Sequence, residues 1–409
     1  MGDRLDIAIA GCGIAGLATA LLLHRAGHRV TLYERFAQPR PLGSGLMLQP
    51  TGLAVLAELG LAAEVKAHAA PISRIHGRNT HGETVLDARY ADLAVPGACG
   101  LGIHRASLFG ALYDAVLAAG LALRTGHEVA GSELASGGRR LLFADAGASA
   151  THDLVVDALG VASPLVPASE GWLPYGALWT TLEWPAEGRF RPDWLEQRYE
   201  RARRMAGVLP TGRRRGSGRN ELALFWSLRA DRLDDWNGRG LDAWKDEFRA
   251  LWPECAGLLE SIGDPAQLTF ARYAHRTCCY PTGERLIHIG DAWHSASPQL
   301  GQGANMALLD AWALARALGG TGPLAARLAA AIGLRRSHIR LYQGLTALFT
   351  PAYQSDSVWP ALIRDVVLAP LSRIPPGPGI QANMVSGLTG GPLGPLGLDV
   401  PFSNPRAAG

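Results

Sequence analysis

The chain is poor in lysine and carries almost no net charge. Lys66 and Lys245 are its two lysines, so arginine supplies nearly all of the 39 positive charges, and 36 acidic residues leave a formal net charge of +3. A charge this small gives no electrostatic footprint for nucleic acid, and we expect no nucleic-acid partner. The densest basic run, three arginines at 213–215, is predicted to be a solvated hairpin loop, with a site for an acidic partner as the alternative.

The cysteines are few and follow no motif. Cys12, Cys99, Cys255, Cys278 and Cys279 include no Cys-x-x-Cys pair of the kind that binds zinc or performs thioredoxin-type redox work. The histidines lack metal-ligand spacing, and no Gly-x-Ser-x-Gly nucleophile elbow occurs. We therefore predict reduced thiols in a cytoplasmic protein, and no metal site.

Long apolar runs and targeting signals are also missing from the sequence. The N-terminus has no basic region, apolar stretch and cleavage site in the order of a signal peptide. The apolar run at 14–23 stops at His24 and Arg25, well short of the roughly 20 residues needed to span a bilayer. We expect no transmembrane segment, and membrane contact that is at most peripheral.

The chain is long and rich in apolar residues. Hydrophobic residues make up 48% and charged residues 18% of its 409 residues, which indicates a compact protein with ample surface to bury. The length is too great for one ordinary core. Two domains and an appended tail are expected.

A short apolar strand near the N-terminus leads directly into a glycine-rich turn. Residues 5–10 suit a buried parallel strand, and residues 11–16 read Gly-Cys-Gly-Ile-Ala-Gly. Gly11 permits the tight turn, Gly13 lets the backbone approach a pyrophosphate, and Gly16 lets the following helix pack close to the sheet. The N-terminus of that helix would then face the phosphates.

The segment after the turn strengthens this interpretation. A helix predicted over 14–26 stops at Gly27, and a second strand over 29–33 ends at Glu34. Glu34 lies 18 residues beyond the last glycine of the turn (34 minus 16), where an acid can hold the ribose hydroxyls of an adenosine. Strand, turn, helix and acid in this order predict a dinucleotide site, in which Cys12 is a small filler rather than a reactive thiol.

A second motif lies some 280 residues downstream (291 minus 11). An apolar strand at 285–289 runs into Gly-Asp-Ala-Trp-His at 290–294, and Ser-Pro-Gln-Leu-Gly-Gln-Gly-Ala-Asn follows at 297–305. Here the chain resembles the class A flavoprotein monooxygenases, the para-hydroxybenzoate hydroxylase-like family, whose pattern is Gly-Asp-Ala-x-His and then Pro-x-x-Gly-Gln-Gly-x-Asn. The resemblance implies that the dinucleotide is FAD, that Asp291 binds its ribityl chain, and that residues 298–303 line the isoalloxazine.

The residues after the second glycine loop support a flavin site on physical grounds. Apolar residues recur at helical spacing from Ala304 to Leu318, so a long helix is predicted to begin at the loop. Its positive end would face the flavin and stabilise the negative charge of the reduced ring by a few tenths to about 2 kcal/mol.

Smaller matches to the family fill the interval between the two motifs. Residues 43–46 with Pro50 and the helix-opening segment 103–108 follow in chain order, and the family places an arginine like Arg105 near FAD. The cofactor-binding residues so predicted are Gly11, Gly13, Ala15, Gly16, Glu34, Arg35, Ser44, Gly45, Arg105, Asp291, Pro298, Gly301, Gly303, Ala304 and Asn305.

The resemblance also implies the architecture. It implies an α/β fold, with a Rossmann-like FAD-binding domain of the glutathione reductase type, an inserted antiparallel-sheet substrate domain and a helical C-terminal region. The discontinuous FAD-binding domain is placed at 1–71, 99–163 and 281–322, the substrate domain at 72–98 and 164–280, and the C-terminal helical region with its Pro/Gly-rich tail at 323–409.

The chain departs from the family at one motif. Family members carry a strand ending in Gly-Ala-Asp-Gly-x-x-Ser, where this chain has Asp157-Ala-Leu-Gly-Val-Ala-Ser163. Leu159 takes the place of the aspartate and cannot accept a hydrogen bond. Asp157, on the same strand face, is a candidate to compensate. The departure puts rapid reduction by NAD(P)H in doubt.

Aromatic residues are concentrated in the predicted substrate domain. Strand-like segments at 175–184 and 221–228 suggest a sheet that covers the flavin as a lid. Core packing is the expected role for any one aromatic, with two or three lining a pocket: Trp172, Tyr175, Trp179, Trp184, Trp194, Phe225 and Trp226. The histidine of the second motif, His294, is expected to be structural. His76, His81 and His275 are candidates for the lid, with surface or core placement as the default for each. No catalytic base is predicted.

The tail is expected to begin as helix from Pro323 and to become irregular coil after Arg373, because proline and glycine recur there. The mixed apolar segment 345–371 is expected to pack against the flavin domain, with a peripheral membrane or dimer contact as the alternatives.

The functional hypothesis is an FAD-dependent monooxygenase. It would hydroxylate an electron-rich aromatic small molecule with O2 through a flavin hydroperoxide, with NAD(P)H as the reductant, or with a partner reductase if Leu159 prevents direct reduction. The alternatives are another FAD-dependent dehydrogenase, reductase or oxidase, a flavin halogenase, which lacks support because the Trp-x-Trp-x-Ile-Pro string is absent, and a non-catalytic scaffold on the same fold.

Overall fold

The computed structural model describes residues 4–41, 43–167 and 171–402. Within these ranges the strands are β1 (Asp6–Ala10), β2 (Arg29–Glu34), β3 (Gly45–Leu48), β4 (Ala69–Ile72), β5 (Arg74–Asn79), β6 (Thr84–Arg89), β7 (Gly100–His104), β8 (Ala122–Thr125), β9 (Val129–Ala135), β10 (Gly138–Phe143), β11 (Leu154–Asp157), β12 (Trp172–Glu183), β13 (Trp194–Glu200), β14 (Arg204–Arg213), β15 (Asn220–Arg229), β16 (Thr269–Ala274), β17 (Arg276–Thr277), β18 (Thr282–Gly283), β19 (Leu286–His288) and β20 (His294–Ser295).

The helices alternate with the strands early in the chain and dominate its end. They are α1 (Ile14–Arg25), α2 (Pro50–Glu58), α3 (Ala62–Ala67), α4 (Arg105–Ala118), α5 (Leu233–Leu251), α6 (Ala256–Glu260), α7 (Gly303–Leu318), α8 (Leu324–Tyr353), α9 (Val358–Ile363), α10 (Ala369–Leu371), α11 (Gly377–Ser386) and α12 (Leu393–Leu396), with a π-helical turn, Arg364–Leu368, between α9 and α10. None of the helices in the described ranges combines the length and hydrophobicity needed to cross a membrane.

A six-stranded sheet forms the first layer. Its order is β18-β19-β11-β1-β2-β8, and every neighbouring pair is parallel except β18 with β19. Helices α1, α4 and α7 contribute buried leucines and alanines to one core with this sheet, and the β9–β10 hairpin forms part of a smaller cluster with Tyr33. Both faces are covered, as an apolar parallel sheet requires. The predicted α/β class is confirmed.

The second layer is a seven-stranded sheet, hereafter the lid sheet. Its order is β16-β12-β15-β14-β13-β5-β6, and it is antiparallel apart from the parallel pair β13 and β5. Alternate residues divide between two faces. The outer face carries Leu178, Leu224 and Trp226 and is covered by Trp244 and other aromatics of α5. The inner face looks toward β3 and the C-terminal helices, with which it shares a separate apolar cluster. The domain boundaries themselves stay a prediction.

The tail differs from the predicted irregular coil. After Arg373 the chain forms the ten-residue helix α11. Gly377 and Pro378 occupy its first turn, where a missing N–H leaves no intrahelical bond unmade, and no proline follows within the helix. The prediction of coil was wrong because proline and glycine were expected to prevent a helix throughout the segment. They lie just before the helix and in its first turn, where they do not interrupt it.

Candidate functional site

The first glycine turn leaves an open space in front of α1. Gly11 has φ +101°, and a Cβ there would lie 2.6 Å from the Ala158 carbonyl oxygen. A Cβ on Gly16 would lie 1.9 Å from the oxygen of Gly11, so both positions need glycine. Around Gly13, no heavy atom in the described ranges approaches a Cβ position within 4 Å, and no described side chain caps α1. The free N–H groups of the helix therefore face room for an anion.

Glu34 stands beside this turn at the end of β2. Its carboxylate accepts hydrogen bonds from the backbone N–H of Cys12 at 3.0 Å and of Phe36 at 3.0 Å, which fixes its position. Burial, and secondarily the charge of Glu34, raises the pKa of the Cys12 thiol to about 12, in keeping with its role as a filler. Arg35 is exposed, with its guanidinium 4.6 Å from the ring centre of Phe36.

The second glycine loop leaves a similar opening in front of α7. Gly301 adopts a left-handed conformation with φ +62°, and its N–H donates to the carbonyl of Pro298 at 2.9 Å. Pro298 and Gly303 are exposed and Ala304 is half-buried, and nothing described lies within 4 Å of a Cβ position on Gly303. A second uncapped helix N-terminus is thus open to a ligand.

Asn305 ties this loop to β3. Its side-chain amide donates to the carbonyls of Met47 at 3.1 Å and Gly301 at 3.0 Å, and its oxygen accepts from the N–H of Gln49 at 2.8 Å. The side chain is fully buried. The structure places this predicted cofactor residue behind the loop, where it positions the backbone.

Asp291 and Arg105 are close enough for their charges to influence one another. Both side chains retain solvent-accessible surface. Burial nevertheless raises the pKa of Asp291, with His294 and Arg105 opposing the shift, and burial lowers the pKa of Arg105, with Asp291 opposing that shift. Each group therefore keeps accessible surface while the surrounding protein makes its charged form harder to hydrate. A carboxylate and a guanidinium so placed can hydrogen-bond a polar ligand.

Three further predicted residues make contacts between elements. The hydroxyl of Ser44 lies 2.7 Å from the hydroxyl of Thr181 on the lid sheet. A Cβ on Gly45 would come within 2.7 Å of Ala223, so β3 can lie close under the lid sheet only with glycine there. Ala15 packs against Gly290 at the second motif. These residues bring the lid and the two motifs together.

A buried ionic network behind the second motif was not predicted. Asp310 on α7 accepts from the N–H of Gly290 at 2.9 Å and from Nε2 of His294 at 2.6 Å, and its other oxygen accepts from Nε of Arg335 at 2.8 Å. Arg335 also donates to Nδ1 of His338 at 2.9 Å. The one sign of this network in the sequence is Asp310 itself, an acid among the apolar positions of α7. The network holds the segment that carries Asp291.

At the departure from the family motif, Asp157 organises the loop. It is fully buried and accepts from the N–H of Leu159 at 3.0 Å, from the hydroxyl of Ser163 at 2.6 Å and from Nδ1 of His288 at 2.7 Å. The side chain of Leu159 packs against the apolar cluster around Tyr33. The side chain of Asp157 therefore makes hydrogen bonds that hold this loop, which the side chain of Leu159 cannot make.

The aromatic residues of the lid divide as the two sheet faces do. Trp226 packs on α5, whereas Trp179 and Phe225 stack on the inner face with ring centres 4.7 Å apart. Nε1 of Trp179 donates to the hydroxyl of Tyr273 at 3.0 Å, and no described residue accepts the hydrogen of that hydroxyl. Tyr273 keeps accessible surface, and burial raises the pKa of its hydroxyl. Most of the other lid aromatics serve packing.

The lid histidines take up different positions. His76 is buried against the ring of Trp194, His81 is exposed at a turn, and His275 is partly buried. The arginine hairpin at 213–215 is docked by ion pairs of Arg214 with Glu221 and of Arg215 with Asp114. Arg214 and Arg215 are therefore already paired with acids of this chain and are less available to an acidic partner.

Comparison with known proteins places these features in one group. A family model described as an FAD binding domain matches residues 4–323. The 6-hydroxynicotinate 3-monooxygenase of Pseudomonas fluorescens is 28% identical over 337 residues, which cover 78% of this chain and 83% of that protein. The salicylate hydroxylase of Pseudomonas putida is 30% identical over 373 residues, covering 81% of this chain and 82% of that protein.

A solved structure shares the fold. The crystal structure of Klebsiella pneumoniae HpxO complexed with FAD and uric acid superposes with a TM-score of 0.75 at 19% identity, and the match covers 93% of this chain and 97% of the other. Identity this low speaks to the fold alone.

Proposed function

The chain belongs to the family of FAD-dependent monooxygenases that share this FAD binding domain, and we propose that it hydroxylates a small, electron-rich aromatic compound held between the flavin and the inner face of the lid sheet. The observation that carries the proposal is the contact of Trp179 with Tyr273 on the inner face of the lid sheet, where an aromatic ring and a hydroxyl with a free hydrogen would together form one wall of a pocket. Such pockets, apolar with a few directed polar groups, are typical of small-molecule sites.

The residues present fit FAD. Two open helix N-termini suit the pyrophosphate and the flavin ring, Glu34 suits the adenosine ribose, and Asp291 with Arg105 suits the ribityl chain and its surroundings. When bound, the cofactor supplies the activation of O2 and the transfer of one oxygen atom. The roles of the individual residues are part of the proposal.

Chain residues would orient the substrate and exclude water. Trp179 and Phe225 offer ring faces on which an aromatic substrate can stack. Because the Tyr273 oxygen already accepts from Trp179, its hydrogen is directed elsewhere and can be donated to an oxygen of the substrate. Such a bond orients the ring toward the flavin, and the lid sheet closes the site from solvent.

The test is oxygen consumption by the FAD-loaded protein, supplied with NADH or NADPH, on a panel of phenols, hydroxypyridines, indoles and quinolones, with product identified by mass. We expect one class to stimulate O2 uptake with stoichiometric incorporation of one oxygen atom. In the Tyr273→Phe variant, KM for that class should rise by roughly tenfold, the equivalent of about 1.4 kcal/mol for one hydrogen bond. Trp172→Phe, on an exposed edge of the lid, is the matched control. Peroxide release without product across the panel would contradict the proposal.

The cofactor site gives a separate prediction. Asp291→Ala and Glu34→Ala should each weaken FAD binding by roughly 1.5–3 kcal/mol, because each removes a charge-assisted hydrogen bond. Flavin dissociation constants measured by fluorescence would check this, with Glu83→Ala, an exposed acid on the lid, as control. Unchanged affinity in both site variants would remove these residues from the site.

The presence of Leu159 bears on the identity of the electron donor. We propose that NAD(P)H reduces the flavin directly and that Asp157 takes over the loop-holding role of the missing aspartate. A partner reductase is the alternative if direct reduction fails.

Anaerobic bleaching of the flavin by NADH or NADPH tests this assignment. Asp157→Asn should slow reduction more than tenfold, because it weakens the bonds to Leu159 N–H, Ser163 and His288 together. Leu159→Asp should slow reduction too, since a carboxylate there enters an apolar cluster next to Asp157. Faster flavin reduction in Leu159→Asp would show that Asp157 does not replace the aspartate of the family motif. Slow bleaching in the natural protein would point to another electron donor.

A further inference from the structure

The exposed apolar surface of the protein is concentrated in one region. Fifteen large apolar side chains are exposed among the described residues, and eleven of them lie between Leu348 and Ile380. Within this region residues 358–371 run as one helical stretch through α9, the π-helical turn and α10. Isolated exposed leucines are ordinary on a protein surface, but a cluster of this size marks an interaction site.

The helical stretch places its large apolar residues outward, and two alanines and one arginine inward. Ala361, Arg364 and Ala369 are buried against the rest of the protein. The opposite side, hereafter the apolar helical face, consists of Trp359, Leu362, Val366, Val367, Leu371 and the adjacent Ile374. Trp359 is 70% exposed and Val366 63%. A helix that packed only on its own domain would show the reverse arrangement.

The apolar helical face presents almost no charge. Three charged residues occur at 358–380. Arg364 is buried and donates to the Ala352 carbonyl at 2.8 Å and to Asp365 at 2.6 Å. Asp365 is mostly covered by this pairing, and Arg373 donates to the carbonyl of Thr84. A second copy of the same surface therefore brings no pair of like charges into contact.

We propose that the apolar helical face is the contact surface between two copies of this chain, related by a two-fold axis. Full burial of one such side chain is worth ~1.5–3 kcal/mol, or ~60–120 Å² of apolar area. The eleven partly exposed side chains between Leu348 and Ile380, of which this face is the centre, therefore offer about 400–700 Å². That area is at the upper end of patches on monomers and approaches the ~800 Å² per partner of a standard interface once a polar rim is added.

A lipid surface fits the same face less well. Interfacial helices combine an apolar side with lysines and arginines that meet anionic headgroups. Here the only exposed cation of the stretch is Arg373, which is bonded to the lid. The proposal is independent of the flavin reaction, so it can fail or succeed without changing the proposed function.

The experiment measures the mass of the FAD-loaded protein by light scattering across a dilution series. We expect a dimer that dissociates on dilution, and a dissociation constant at least ~100-fold higher in Val366→Glu, because the substitution enters the interface twice. Leu134→Glu, at a similarly exposed leucine of β9 outside the face, should leave the constant within a few-fold. Flavin content and circular dichroism verify that each variant is folded.

Two further measurements distinguish the dimer contact from the other possible roles of the apolar helical face. Hydrogen exchange of peptides covering 358–374 should be slower in concentrated than in dilute natural protein, which needs no variant. Co-sedimentation with phosphatidylcholine and phosphatidylserine vesicles tests the lipid surface. A monomer at every concentration, or a dimer that Val366→Glu does not weaken, would overturn the proposal, and vesicle binding by a monomer would reassign the face to membranes.

Discussion

Replacing Asp310 by alanine is expected to destabilise the protein by about 3–5 kcal/mol and to release the flavin. The carboxylate is fully enclosed and accepts three hydrogen bonds, from Gly290, His294 and Arg335. Burial by itself raises the pKa of Asp310, but His294 and Arg335 outweigh it and hold the pKa below its usual range, so the group is ionised at neutral pH. Its removal leaves the Arg335 guanidinium buried and unpaired, the situation that makes breaking a buried pair so destabilising.

The loss of flavin follows from the place of the network in the chain. Gly290 and His294 flank Asp291, so the carboxylate of Asp310 fixes the backbone that carries Asp291, which is proposed to bind the cofactor. Thermal unfolding should shift downward by on the order of 10 °C. Flavin affinity should fall even where the variant remains folded.

A double-mutant cycle separates pairing from packing. Asp310→Leu combined with Arg335→Met removes both charges and should cost less than the sum of the single changes, because no unpaired ion remains. Asp114→Ala breaks an exposed pair with Arg215 and should change stability by less than about 1 kcal/mol. Equal effects of Asp310→Ala and Asp114→Ala would show that the buried network does not stabilise the fold.

The glycine motifs could be predicted from sequence because their requirements are local. A positive φ at Gly11 and a near contact at Gly16 follow from the turn itself, and the helix after each loop follows from apolar spacing within one segment. Glu34 was predicted by its distance from the turn, and the structure places it beside Cys12. Local chemistry was therefore enough to predict the two glycine loops and the open helix N-termini that follow them.

The remainder depended on packing between segments distant in sequence. Asp310 and Arg335 lie 25 residues apart on separate helices, and nothing in either helix pattern pairs them. The division of the lid tryptophans between the outer and inner faces depends on which sheet face α5 covers, which the alternation within a strand does not determine. The segment 345–371 was expected to pack against the flavin domain, but within it the large apolar residues of 358–371 are exposed, and Ala361, Arg364 and Ala369 take the inward positions.

Stability is expected to fall steeply as the pH is lowered from 7 toward 4.5. Burial, with a smaller effect of Arg74, lowers the pKa of His76 to about 4, and burial and Arg214 lower the pKa of His104 to about 4. Burial and Arg335 lower the pKa of His338 to about 3. In the unfolded chain each histidine titrates near its ordinary value of about 6.5. The unfolded state therefore binds more protons in this window, and stability present above pH ~6.5 is lost on acidification.

The magnitude follows from the number of sites. Each buried neutral histidine contributes at most about 1.4 kcal/mol per pH unit, so the three together set an upper limit of about 4 kcal/mol per unit near pH 5. Asp310 does not contribute there. Its pKa is depressed, so its stabilisation is lost only below the unfolded carboxyl value of about 4. Unfolding temperatures measured between pH 7 and pH 4.5 should thus decline before Asp310 is protonated.

His338 gives the sharpest single test, because its hydrogen bonds fix its neutral form. Arg335 donates to Nδ1, which must be unprotonated to accept, and Nε2 donates to the Gly387 carbonyl at 3.1 Å. A second proton would break the first bond and place an imidazolium beside a buried guanidinium. His338→Gln keeps a neutral polar group, so it should reduce the pH slope by about 1.4 kcal/mol per unit near pH 5. The exposed His81→Gln should leave the slope unchanged, and an unaltered slope in His338→Gln would mean that His338 is protonated in the folded protein.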